Sequence, residues 1–134
     1  MSKVDLIRPL LGRKKTVGHA YDTVTGEQVG DGEIWSVREG PGRGGSGLAA
    51  PWRQMESLTE HTEGHAAAIM RAQGPRDVTL YINREPCPGP DGCRERLNEA
   101  LPQGDRMTVF VVRPGGAVRR RKFEGTGEGL EQKR

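Results

Sequence analysis

Four residues stand out for what their side chains could do together: His61, Glu63, Cys87 and Cys93. One imidazole and two thiolates make a donor set for tetrahedral zinc, with the fourth position left to water. Zinc in such an open site makes hydroxide available near neutral pH. Glu63 stands two residues from His61 and serves in this scheme as the acid and base rather than as a ligand. Each piece alone is weak. A His-x-Glu pair on a helix is commonly no more than two solvated side chains. Two cysteines in a small domain allow one disulfide, two free thiols or two metal ligands, and their surroundings decide.

The surroundings favour the metal. His61-Thr62-Glu63-Gly64-His65 reads as part of a helix, followed by a buried strand. Asn83-Arg84-Glu85-Pro86-Cys87-Pro88-Gly89-Pro90-Asp91-Gly92-Cys93 then leads into another helix. Together these segments match the zinc deaminase signature, H-x-E followed by P-C and a second Cys. In that chemistry the glutamate takes the proton of water. It protonates a cytosine ring at N3 as C4 is attacked, then helps ammonia leave. Both sulfurs are expected at or near the start of the second helix, where the positive end of the helix dipole favours thiolate. The signature has two residues between its cysteines, and this chain has five. The insert is stiff and turn-rich, so a loop can still return the second sulfur to the metal. His65 is four residues from His61 and could share a metal with it. A metalloprotease helix reads His-Glu-x-x-His, however, and Glu63 is one place too late. His65 is therefore expected to be a core residue or a support for the site. A purely structural zinc site is the competing reading.

The elements that must position these groups follow from periodicity. Thr16–Tyr21 and Glu33–Val37 flank a turn near Thr25-Gly26 and read as a hairpin. Met55, Leu58, Thr62, Ala66, Ile69 and Met70 recur at three- and four-residue steps, which predicts one helix from Pro51 to Gln73. Gly64 weakens that helix locally, and Gly74-Pro75 ends it. Val78–Asn83 and Met107–Val112 are near-continuous apolar runs of the kind buried in a sheet. Arg94–Leu101 reads as a short helix. Ala117–Phe123 reads as an edge strand guarded by Arg and Lys. This order implies a layered α/β domain around one central sheet. Its expected limits are a basic leader at 1–15, a domain at 16–124 and a flexible tail at 125–134.

Composition sets bounds rather than functions. The 134 residues suit one compact domain. Hydrophobic content is 33% and glycine numbers 20, so the core is small and a bound metal would help it. Net charge is +3, unevenly placed. Both ends are basic and the stretch between them is acidic, an arrangement compatible with a polyanion such as nucleic acid, or with two solvated tails. Nothing is long or apolar enough to span a membrane, and the N-terminus lacks the apolar run of a signal peptide.

Over roughly residues 16–123 the chain resembles the DddA-like deaminase toxins of bacteria, within the larger cytidine deaminase superfamily. The residues that carry this are Thr16-Val17-Gly18, Ser46-Gly47, His61-Thr62-Glu63-Gly64-His65-Ala66 and Met70-Arg71. Leu80-Tyr81-Ile82-Asn83, Pro86-Cys87, Gly92-Cys93, Leu101-Pro102-x-Gly104 and Met107-Thr108-Val109 complete the set. The resemblance implies a three-layer cytidine deaminase-like fold, with a five-stranded mixed sheet flanked by helices. It implies Zn²⁺ held by His61, Cys87 and Cys93, with Glu63 as general acid/base, and conversion of cytosine to uracil in DNA. It also implies a domain of a larger secreted toxin, delivered into the cytoplasm of a target bacterium and matched by an immunity protein; separately, the chain is expected to be a monomer with no membrane partner.

Other residues are expected near the substrate. Asn83 could hydrogen-bond the sugar or base edge of the target, or simply cap a strand end. Trp52 could stack on the extruded cytosine or its neighbour, or anchor the core. Ser46 and Gly47 are expected to shape the pocket wall. The loop Gly40–Gly47 could let a nucleic-acid strand approach closely, or be a slack connector. Arg119-Arg120-Arg121-Lys122 could track phosphates or keep an edge strand soluble. Deamination of RNA or free cytidine, and a non-catalytic zinc-stabilised nucleic-acid-binding module, are the alternatives.

Overall fold

The computed structural model describes residues 16–85, 92–115 and 117–131. Five strands form one mixed sheet: β1 (Val17–Asp22), β2 (Gln28–Trp35), β3 (Asp77–Ile82), β4 (Arg106–Val112) and β5 (Val118–Glu124). Their order is β2-β1-β3-β4-β5. β1 runs antiparallel to both β2 and β3, β3 and β4 are parallel, and β5 returns antiparallel on the edge. The expected central sheet and its edge strand are both present. β2 begins at Gln28, earlier than its apolar run, because Gly30 and Gly32 at φ of 82° and 122° let the ladder slip register there.

Among the described residues, three α-helices accompany the sheet: α1 (Glu56–Thr59), α2 (Thr62–Gln73) and α3 (Cys93–Ala100). α2 and α3 pack on each other and on one sheet face. Alternate residues of the central strands are buried there, namely Val78, Leu80 and Ile82 from β3 with Met107, Val109 and Val111 from β4. Leu58, Ala66, Ala67, Met70 and Leu97 fill the helical side of the same core. Among the described residues, no helix is long and apolar enough to cross a membrane.

The single helix expected from Pro51 to Gln73 is instead three pieces. A 3-10 turn at Trp52–Gln54 precedes α1, and α1 stops at Glu60 before α2 starts. The apolar repeat survives because α1 packs on α2 and both bury the same side. The break has a structural use. It gives His61 an extended backbone at φ −78° and ψ 154°, which sets it as the residue before the first turn of α2.

Residues 125–131 also differ from the flexible tail expected of them. Gly125, Thr126, Gly127 and Gly129 donate to the carbonyls of Asp105, Asn98, Leu101 and Glu99 at 2.7–3.0 Å. Leu130 pairs with Leu48 across an isolated bridge and packs against the core. Low apolar content suggested disorder, but this segment is held by its backbone. Its glycines let it lie where a Cβ would overlap the Pro102 carbonyl or the Trp52 ring.

Candidate active site

The sheet topology brings two helix starts together. β2 and β3 are parallel to each other, since both oppose β1, and β3 is parallel to β4. The helices that link them, α2 and α3, therefore both start at the carboxyl ends of these strands. His61 immediately precedes α2, Glu63 lies in its first turn, and Cys93 is the first residue of α3. Two positive helix ends thus face one end of the sheet, the end at which open α/β sheets commonly bind ligands.

α2 is fixed there by its own first turn. The Thr62 hydroxyl lies 3.1 Å from the carbonyl oxygens of both Thr16 and Ile34, which ties the helix to β1 and β2. Glu63 is buried at 3% exposure, so its carboxyl group is largely withdrawn from bulk water. Gly64 packs directly on α1, where an added Cβ would lie 2.5 Å from the Ser57 carbonyl oxygen. The sequence marks Gly64 as a weak point in a helix. In the structure it is a close helix-to-helix approach that only glycine permits.

His65 is fully buried, and both ring nitrogens are engaged. Nδ1 accepts from the Gly42 amide at 2.8 Å, and Nε2 donates to the Val37 carbonyl at 2.6 Å. These partners require the neutral ring with its proton on Nε2. Burial pushes its pKa below the ordinary histidine value, outweighing the hydrogen bond to Val37. His65 is therefore a support, as expected, and has no nitrogen left for a metal. It also gives the Gly40–Gly47 loop a definite place. Gly40 and Gly42 lie against the imidazole, and Arg43–Gly45 forms a 3-10 turn. The loop is pinned rather than slack.

Asn83 stands just beyond β3, at the same end of the sheet. Its Oδ1 accepts from the Val17 amide at 2.9 Å, clasping β3 to the start of β1. That is the strand-end role, placed beside the site.

Ser46, Gly47 and Trp52 are not brought to that end. The Ser46 carbonyl accepts from Nε and Nη2 of Arg71 at 3.2 and 2.9 Å, and Arg71 also donates to Ala100. Burial pulls the Arg71 guanidinium down to about 10, still charged at neutral pH. The Gly47 carbonyl accepts from Glu131 at 2.9 Å. Trp52 donates from Nε1 to Glu99 Oε1 at 2.8 Å, with Gly129 over its ring. Arg71 and Glu99 lie in the last turns of α2 and α3, and the rise from Glu63 to Arg71 alone is about 12 Å. This arrangement favours the anchor reading of Trp52 and makes Ser46 and Gly47 a seat for Arg71 and the C-terminal segment. Sequence proximity to the motif helix suggested otherwise, because the path of the loop was not legible.

Cys87 lies outside the described residues, as does the side chain of Cys93. Among the described residues, no group of three or more His, Cys, Asp and Glu side chains is placed to hold a metal. What the backbone places is the imidazole bearer, the buried glutamate and the cysteine-bearing helix start at one end of the sheet. His61 does not cap its helix with its side chain. An imidazole with two thiols is chemically a zinc donor set.

No curated protein matches the chain significantly. The SCP1.201-like deaminase family matches residues 2–129, nearly the whole length. A mixed five-stranded sheet flanked by helices, with a buried glutamate at the start of one helix, agrees with that match. The chain belongs to the SCP1.201-like deaminase family and is by that membership a hydrolytic deaminase.

Proposed function

We propose that this deaminase converts cytosine to uracil in DNA and depends on zinc held by His61, Cys87 and Cys93, with Glu63 as its acid and base. The observation that carries the reading is the convergence of the α2 and α3 starts at one end of the sheet, with Glu63 buried in the first turn of α2. The metal, when bound, supplies the Lewis acidity that makes water a nucleophile near neutral pH.

This chain's own residues do the rest. The Glu63 carboxylate takes a proton from the attacking water and delivers it to cytosine N3. A C4–O bond forms, the C4–N4 bond breaks, and the second water proton leaves with ammonia, which balances cytosine plus water against uracil plus ammonia. Burial keeps Glu63 out of bulk water, so its proton is exchanged with the substrate rather than lost to solvent. Thr62 and His65 hold the first turn of α2 so that Glu63 does not swing away. The choice of DNA rests on the resemblance to DddA-like toxins and, secondarily, on the basic ends of the chain. The same resemblance supports a role as a toxin domain acting inside a target bacterium and neutralised by an immunity protein.

The test is uracil formation in matched single- and double-stranded oligodeoxynucleotides, with RNA and free cytidine in parallel. Glu63→Gln should lower the rate by about 10²–10⁴ while the protein keeps its fold and one equivalent of zinc. Full activity in that variant would sink the assignment. Activity confined to RNA or free cytidine would move it to the alternative deaminase, and tight zinc without turnover would leave a binding module.

A further inference from the structure

Glu85 lies just beyond β3 and gathers three arginines. Its Oε2 accepts from Arg121 Nε at 2.8 Å and lies 3.5 Å from Arg94 Nη2, while Oε1 lies 3.6 Å from Arg119 Nε. One carboxylate faces three guanidinium groups, drawn from the first turn of α3 and from β5, so the cluster keeps an excess of positive charge. Arg94 Nε is buried and has no hydrogen-bond partner among the described residues. Beside the cluster opens a cleft of about 480 Å³ lined by Glu85, Arg113, Ala117, Val118 and Arg119. Arg113 adds a fourth cation. The Arg119 side chain is 68% exposed, so its charge is presented to whatever enters.

The location gives this charge a meaning. The cleft sits at the carboxyl ends of β3 and β4, the same end as His61 and Glu63. Glu85 precedes Cys87 by two residues, and Arg94 directly follows Cys93. We propose that this cleft is a phosphate subsite, taking the backbone phosphate of a nucleotide that flanks the target cytosine in DNA. The proposal rests on the deaminase reading above and deepens it. Guanidinium forks match phosphate oxygens bidentately. Glu85 holds three arginines beside the cleft, and its single charge leaves most of theirs uncompensated. A free nucleoside has no phosphate to offer, so the cleft favours a polymer substrate. It also divides the Arg119–Lys122 run, since Val109↔Arg121 and Val111↔Arg119 put those two on the sheet face shared with Val109 and Val111, whereas Arg120 and Lys122 point the other way.

The test is direct binding without turnover. Glu63→Gln protein is titrated with a fluorescently labelled single-stranded oligodeoxynucleotide containing one cytosine, across a range of salt. Adding Arg113→Ala and Arg119→Ala together should weaken binding at least tenfold at low salt. It should also flatten the slope of log affinity against log salt by about 0.7, since one phosphate is no longer neutralised. A charge-matched pair at exposed sites away from the cleft, Arg53→Ala with Arg106→Ala, should change the slope by less than half of that. If the double variant does not fold, Arg113→Ala alone should still weaken binding and flatten the slope, by up to about 0.7. Equal effects from the two pairs, or no effect from the cleft pair, would overturn the subsite. Failure to deaminate any cytosine substrate would instead sink the functional reading, and the binding result would stand apart from it.

Discussion

The imidazole of His65 receives the backbone amide of Gly42 at 2.8 Å, which joins the helix bearing Glu63 to the glycine-rich loop. Only the neutral ring can accept at Nδ1, and burial lowers the pKa of this group. The folded protein thus resists a proton that the unfolded chain takes up near pH 6.5. The unfolded state binds more protons in that window, so stability rises with pH through it. Urea midpoints should be level above about pH 6.5 and fall as the pH drops below it. Replacing His65 with Gln should flatten that fall. A midpoint that does not decline on acidification would contradict the assigned tautomer.

Gly64 offers a second check. In an exposed helix, Gly→Ala gains about 1 kcal/mol from propensity. Here the new methyl would meet the Ser57 carbonyl and the Leu58 backbone, which cannot move aside cheaply. Gly64→Ala should therefore destabilise by about 1–3 kcal/mol. It should also disturb activity, because Glu63 is the neighbouring residue. A gain in unfolding free energy would show that α1 and α2 are not packed as described.

What was legible beforehand divides along physical lines. The apolar runs of β3 and β4 and the charged edge β5 were readable because burial imposes its pattern directly on the residues. His61 and Glu63 could be singled out because chemistry restricts residue type, and the structure places both at the start of α2. The interruption at Glu60 was not. No Gly or Pro marks it, and Leu58, Thr62 and Ala66 keep helical spacing across it. Gly40–Gly47 misled in another way. Glycines signal freedom in a sequence, yet Gly42 and Gly64 are there to let backbones approach His65 and α1. The Glu85 cluster was hidden because Arg94, Arg119 and Arg121 meet only once β5 pairs with β4 and α3 packs beside it.

The C-terminal segment yields a third prediction. Residues 125–130 carry backbone bonds to α3 and to the loop at Ala49, and Leu130 sits against the core. Ending the chain after Glu124 would strip that apolar cover from the core and leave the carbonyls of Asn98, Glu99 and Leu101 to water. The expected loss is at least about 2 kcal/mol, on the scale of one large apolar side chain. Thermal unfolding of the shortened chain measures it. An unchanged midpoint would mean that the segment is not docked in solution.

Trp52 and Glu99 provide the last. Their hydrogen bond at 2.8 Å joins the turn before α1 to the last turn of α3, far along the helices from Glu63. Glu99 also binds Arg96 at 3.0 Å, so removing it alone breaks two interactions. A double-mutant cycle separates them. Trp52→Phe keeps a ring beneath Gly129 and deletes only the donor, while Glu99→Ala deletes the acceptor. The coupling between the two should be about 0.5–1.5 kcal/mol, the usual net worth of such a bond. KM for an oligonucleotide substrate should be the same in Trp52→Phe as in the parent. A coupling near zero together with a raised KM would return Trp52 to the substrate, because an aromatic that stacks on a base is felt in binding and one that anchors a helix is felt in stability.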